Sequence, residues 1–168
     1  SVGAVYFPFA DGWTSGQVNA AGSLRNGVGL TPTDVSRTGE GTYQVSVPGV
    51  TNAANEGYMF AIGAANNHDI TPSTQAQGGN AWTIQQTYND DGSAADNPFG
   101  FVYVPNDTEN LIAGRVADDG SLDGTLNAGN PQVTRTEAGT YEITLPGDLT
   151  ANDGALLLTA SGGNPVAL

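Results

Sequence analysis

Val35-Ser36-Arg37-Thr38-Gly39-Glu40-Gly41-Thr42-Tyr43-Gln44-Val45-Ser46-Val47-Pro48-Gly49 decides the fold, because the chain writes this stretch twice. Ninety-eight residues later stands Val133-Thr134-Arg135-Thr136-Glu137-Ala138-Gly139-Thr140-Tyr141-Glu142-Ile143-Thr144-Leu145-Pro146-Gly147. In both copies the run after the glycine alternates apolar and polar residues, the period of a half-buried antiparallel strand. Pro-Gly stops each run. The segment before it reads as a hairpin connection in which Gly41 and Gly139 supply positive φ, and the two glycines are expected to behave alike.

The repeat extends outward in both directions. Gly16-Gln17-Val18 with Gly22-Ser23-Leu24 returns as Gly114-Arg115-Val116 with Gly120-Ser121-Leu122, again at 98 residues. At a spacing of 97, Val5-Tyr6-Phe7-Pro8 matches Val102-Tyr103-Val104-Pro105, and Gly57 with Met59-Phe60-Ala61-Ile62 resembles Gly154 with Leu156-Leu157-Leu158-Thr159. Strands are expected near 4–9, 15–19, 33–37, 42–47, 58–64, 81–88, 99–104, 112–117, 131–135, 140–145 and 155–160, joined by Gly, Asn and Asp clusters. The fold class is all-β, with two tandem antiparallel β-sandwich units related by a repeat of about 98 residues: 1–98, and a truncated 99–168.

The two units are out of phase. Ala81-Trp82-Thr83-Ile84-Gln85-Gln86-Thr87-Tyr88 has no counterpart in the second unit, whereas 4–9 duplicates the segment that follows it. Three explanations fit: a smaller second sandwich, one pseudo-symmetric sandwich shared by both halves, or strands exchanged between subunits. Exchange would add Val5, Phe7 and Phe9 of one copy, or alternatively Tyr6 and Pro8, to the open edge of the next, head to tail.

The pattern G-x-V-x-x-x-G-S-L, V-x-R-T-x-x-G-T-Y-x-x-x-x-P-G and a short apolar strand resembles tandem β-sandwich repeats of large bacterial secreted and cell-surface proteins. That resemblance covers nearly the whole chain and implies an extracellular, structural or adhesive setting.

Composition narrows the function. Four Arg and no Lys stand against 17 acidic residues, a net charge of −13, which repels nucleic-acid phosphate and anionic lipid. Lys is absent and Arg numbers four, while Gly numbers 24 and Pro nine, so an all-α fold is excluded. The absence of Cys removes thiol catalysis, disulfides and thiolate metal sites. No apolar run is long enough to insert in a membrane, and Ser1–Phe9 reads as no signal peptide. The acidic, Lys-free composition fits a protein outside cells.

Catalytic signatures are missing. The one His, His68, sits in a polar loop and no Gly-x-Ser-x-Gly elbow surrounds a serine, so the reading is non-enzymatic. Calcium is the one cofactor left open: Asp90, Asp91 and Asp96, and Asp118, Asp119 and Asp123, gather hard oxygens within single loops. Asp-Gly is equally a tight-turn signal, and the first unit makes the second loop's turn with Ala20-Ala21-Gly22-Ser23. Trp13, Trp82, Tyr6, Tyr58, Tyr88 and Tyr103 offer sugar-stacking faces, but aromatics in alternating strands more often fill a core. Arg37 and Arg135 share strand parity with Val35 and Val133, so each is expected to lay its stem over the core edge and give its charge to a carboxylate or turn carbonyl. Asn106-Asp107-Thr108 is a glycosylation triplet. The expected function is an extracellular structural or adhesive building block whose partners are copies of itself, head to tail. A carbohydrate-binding module taking surface glycans, or a viral surface or fibre component, is the alternative.

Overall fold

The computed structural model describes residues 14–64, 70–147, 154 and 156–161. Val5, Tyr6, Phe7, Phe9, Trp13 and His68 lie outside the described residues, and with them the expected strand 4–9. The chain is all-β. Its strands are β1 (Thr14–Val18), β2 (Leu24–Val28), β3 (Val35–Gly39), β4 (Thr42–Ser46), β5 (Gly57–Gly63), β6 (Ile70–Ala76), β7 (Ala81–Tyr88), β8 (Phe99–Pro105), β9 (Ala113–Val116), β10 (Leu122–Ala128), β11 (Gln132–Glu137), β12 (Thr140–Thr144) and β13 (Ala160–Ser161). One short helix, α1 (Ala53–Glu56), precedes β5.

Two sheets form a sandwich. One has the order β2-β1-β8-β5 and the other β13-β6-β7-β4-β3. Alternating positions of both sheets meet between them: Val18, Met59, Phe99, Phe101 and Tyr103 from the first, and Val35, Tyr43, Val45, Trp82 and Ile84 from the second. Trp82 packs its ring 5.1 Å from that of Tyr103, and Tyr43 lies 5.0 Å from Phe99, so aromatic pairs tie sheet to sheet. Trp82 of β7 and Phe99, Phe101 and Tyr103 of β8 are thereby committed to the interior, as their alternation requires, while Tyr88 at the end of β7 is half-buried.

Beyond β8, only β13 among the described strands joins either layer. β9 pairs with β10 and β11 with β12 as separate two-stranded ribbons. Among the described side chains from 106 to 147, none joins the core between the sheets, and Pro131 is the one apolar side chain that is buried. Phe99–Pro105, which the repeat assigns to the second unit, is hydrogen-bonded between β1 and β5 in the first sheet.

Three strands carry little sequence signal. β2 holds Arg25, Asn26 and Gly27 and is mostly exposed. β6 is polar and contains Pro72, a residue that demotes a run to a sheet edge; its neighbour on one side is only the two-residue β13, and its buried members are Pro72 and the small polar Ser73 and Thr74. β10 follows the Asp119-Gly120-Ser121 turn as the counterpart of β2. Conversely, the apolar strand expected at 155–160 shrinks to Ala160–Ser161, which pairs in parallel with Ser73 and Thr74. Its equivalent, β5, is held along its whole length by β8, a support that no described strand gives to Leu156–Thr159.

Candidate functional site

The two hairpins written twice in the sequence fold in one register. Val35 faces Val45, Arg37 faces Tyr43, and a bulge shifts the pairing to Gly39 with Thr42. Val133 faces Ile143, Arg135 faces Tyr141, and the same bulge gives Glu137 with Thr140. Details follow suit: Thr38 and Thr136 each donate their hydroxyl to the carbonyl of residue 42 or 140 at 3.3 Å. The tyrosine hydroxyls reach back 23 residues, Tyr43 to Ala20 O at 2.9 Å and Tyr141 to Asp118 O at 3.2 Å.

The preceding glycine turn is also shared. Gly22 has φ +84° and Gly120 φ +90°, and a Cβ there would stand 2.6 Å from Cβ of Arg37 or 2.7 Å from Cβ of Arg135. Each arginine stem therefore lies directly over a glycine that has no side chain to displace it.

What differs is what covers the hairpin. In the first, one carboxylate holds three groups: Asp96 accepts from Arg37 Nε at 2.8 Å, from Gly41 N at 2.9 Å and from the Tyr43 hydroxyl at 3.2 Å. A second arm of the guanidinium closes the ion pair, Arg37 Nη2 to Asp96 Oδ2 at 2.7 Å. Hydrogen bonding from Arg37, against a smaller desolvation cost, holds the Asp96 carboxyl below its ordinary range. Burial first, then the Asp96 charge, push the Tyr43 hydroxyl up to about 12. A carboxylate so held is a poor proton donor at neutral pH.

In the second hairpin Arg135 Nε donates to the carbonyl of Glu137 at 3.2 Å, and its charge helps hold Asp119 ionised. Both arginines thus meet the expected kinds of partner, a carboxylate for Arg37 and a turn carbonyl for Arg135. Gly41 (φ +60°) and Gly139 (φ +74°) share the left-handed backbone but not its surroundings. A Cβ on Gly41 would meet Gln86 O at 2.5 Å and Ala95 N at 2.8 Å, whereas nothing lies within 4 Å of one on Gly139. The expectation that the two behave alike holds for the backbone and fails for the packing, because β7 and the loop to Asp96 cover only the first hairpin. Tyr43 is fully buried; Tyr141 is 39% exposed.

Of the calcium candidates, Asp90, Asp91, Asp96, Asp118 and Asp119 fall among the described side chains and form no common group. Asp96 is occupied as described. Asp91 accepts from Ser93 N at 2.8 Å and Ser93 Oγ at 2.6 Å, and Asp119 accepts from Ser121 N and Oγ at the same two distances. Both are turn-building contacts, with the hydroxyl hydrogen bond the main cause holding each carboxyl below its ordinary range. Asp123 stands in β10, and Asp90 and Asp118 occupy turns. Among the described residues no three acidic or histidine side chains assemble into a metal-binding group.

In sequence Asp96 stands out for its oxygens alone, while its partners lie 53 to 59 residues away. The parity of Arg37 was the signal that a carboxylate was needed; which one it takes depends on the sandwich. Compared with protein-family models, with curated proteins and with solved structures, the chain has no significant match.

Proposed function

We propose that this chain is a non-enzymatic, extracellular structural building block, made of tandem β-sandwich units at a spacing of about 98 residues, that assembles head to tail by strand addition. One observation carries the reading: two hairpins of matching sequence and register, one covered by a strand and a carboxylate, the other left with its tyrosine and apolar residues exposed. Tyr141 and Leu145 are 39% and 41% exposed, and Leu156 and Leu158 66% and 58%. Apolar positions that an equivalent unit buries favour a partner that completes the layer. The acidic residues with displaced acidities, Glu56, Asp91, Asp96 and Asp119, are all shifted toward the ionised state by turn or ion-pair contacts, which suits architecture better than proton transfer.

The strand added is expected to come from 1–9, with Val5, Phe7 and Phe9 as its candidates. Light scattering against concentration tests this: the whole chain grows in mass, and a chain lacking 1–9 stays folded and does not. Salt should favour growth, since −13 on each copy repels over about 10 Å at 0.1 M salt. Normal assembly of the truncated chain would overturn the reading.

A further inference from the structure

At one end of the sandwich the strand termini of the two sheets part into a groove of about 530 Å³, within the size range of sites that enclose a small ligand. One wall is Val47-Pro48-Gly49-Val50, where Pro-Gly stops β4; the other is Pro105-Asn106-Asp107, where the chain turns away from β8. Tyr103 reaches the groove from the core and is 5% exposed. Gly57 makes room for it, since a Cβ there would collide with the Tyr103 ring and hydroxyl.

Backbone contacts fix the rim. The Tyr103 hydroxyl donates to Glu56 O at 2.8 Å, Asn106 N donates to the same carbonyl at 3.0 Å, and Asn106 Nδ2 donates to Asn55 O at 2.7 Å. The end of α1 is thereby fastened to the turn after β8, which brings Glu56 and Asp107 to one groove. The Glu56 carboxylate accepts from Thr51 N at 3.1 Å and Thr51 Oγ1 at 2.6 Å, which leaves it lone pairs for a further donor.

The charge in the groove has one sign. Its lining holds two carboxylates, Glu56 and Asp107, and no basic residue. Burial first, then the charges of Glu56 and Asp107, push the Tyr103 hydroxyl up to about 12, so both carboxylate fields reach the groove floor. The rest of the surface is largely apolar, supplied by Val47, Pro48, Val50, Pro105 and the Tyr103 ring. A cationic head on an apolar stem satisfies both kinds of surface, and lysine and arginine side chains have that form. We propose that this groove receives a lysine or arginine side chain of a basic partner polypeptide, its stem along Val50 and Tyr103 and its charge toward Glu56 and Asp107. Charge complementarity selects such a partner over a second copy of this chain, which carries −13 and no Lys. The site is separate from the head-to-tail contact and stands or falls without it.

The test titrates the isotope-labelled full chain with acetyl-Gly-Arg-Gly-amide and acetyl-Gly-Lys-Gly-amide at about 0.15 M salt and follows backbone amide shifts by NMR. A citrulline peptide, which keeps the length of arginine without its charge, is the ligand control. Asp90→Asn is the protein control: Ser46 pairs with Ala81 at the groove end, and Asp90 follows the opposite end of β7. Shifts are expected at Gly49, Val50, Asn106 and Asp107 with the charged peptides and not with citrulline. Asp107→Asn should weaken binding about three- to fivefold, and Asp90→Asn should leave it unchanged. Glu56→Gln is the second groove variant, and the spectrum of each variant reports its folding. Equal weakening by Asp90→Asn, or shifts spread over the acidic surface, would mean diffuse attraction and overturn the proposal. So would equal binding of the citrulline peptide, or no groove shifts at about 10 mM charged peptide.

Discussion

The hairpins β3–β4 and β11–β12 share sequence pattern, register, bulge and the tyrosine hydrogen bond to the glycine turn, yet Tyr43 of the first is buried and Tyr141 of the second is exposed. Local sequence therefore determines the hairpin, and burial is conferred by what arrives later in the chain. For β4 that is β7, pairing Val45 with Trp82 and Tyr43 with Ile84, followed by the loop carrying Asp96. Most of the stabilisation of such a motif is contextual, and paired substitutions measure how much.

The largest difference is expected at the tyrosines. Tyr43→Ala opens a cavity in a closed core and should cost about 3–5 kcal/mol in denaturant unfolding. Tyr141→Ala removes a partly exposed ring and one hydrogen bond, and should cost less than about 1.5 kcal/mol. Equal costs would mean that the second hairpin is covered as fully as the first.

Next come the glycines. Gly139→Ala bears only the left-handed backbone penalty, about 1–2 kcal/mol. Gly41→Ala bears that penalty and also drives a methyl against Gln86 O and Ala95 N, so its loss must exceed that of Gly139→Ala. A reversed order in thermal melts would break the comparison at its most local level.

The smallest expected effect is electrostatic. Asp96→Ala should cost about 1 kcal/mol at neutral pH, because the ion pair is roughly one-third exposed. The sign follows from linkage: the folded carboxyl sits below 3.8, so its contribution is complete above that value and is lost as pH falls through the lowered one. The wild-type advantage should vanish in strong acid. At the alkaline end Tyr43, raised from 10.0 to about 12, contributes fully below 10 and loses its contribution as pH climbs toward 12. Arg135→Ala, which removes a hydrogen bond to a strand-end carbonyl, should change stability by about 0.5 kcal/mol or less.

The sequence makes the hairpins legible because period, turn glycine and Pro-Gly stop all lie within fifteen residues. It leaves β6 obscure because Ser73 and Thr74 are buried by position rather than hydrophobicity; Thr74, for instance, donates its hydroxyl to Met59 O across the sandwich. The strand expected at 155–160 failed for the converse reason, since Leu156 and Leu158 have strand-like composition and no described neighbour to pair with. The boundary drawn after residue 98 follows the repeat, whereas β8 follows hydrogen bonds that reach back to β1 and β5. Periodicity reports a residue's readiness to be buried; the partner's arrival decides whether it is. The role of Asp96 was hidden for the same reason, its carboxylate being meaningful only beside Arg37.

The parallel pairing of β13 with β6 has a mechanical consequence. The chain leaves the first sheet at Pro105 and is fastened again to the other sheet at Ala160, so the intervening stretch is a closed excursion tethered at both ends. Closing an excursion of some 50 residues costs about 3–4 kcal/mol of chain entropy. Two residues of parallel ladder return about 1–3 kcal/mol. Among the described strand pairings the two-residue latch at Ala160–Ser161 is the shortest, and a pull on the excursion is expected to release it before the long ladder of β5 with β8.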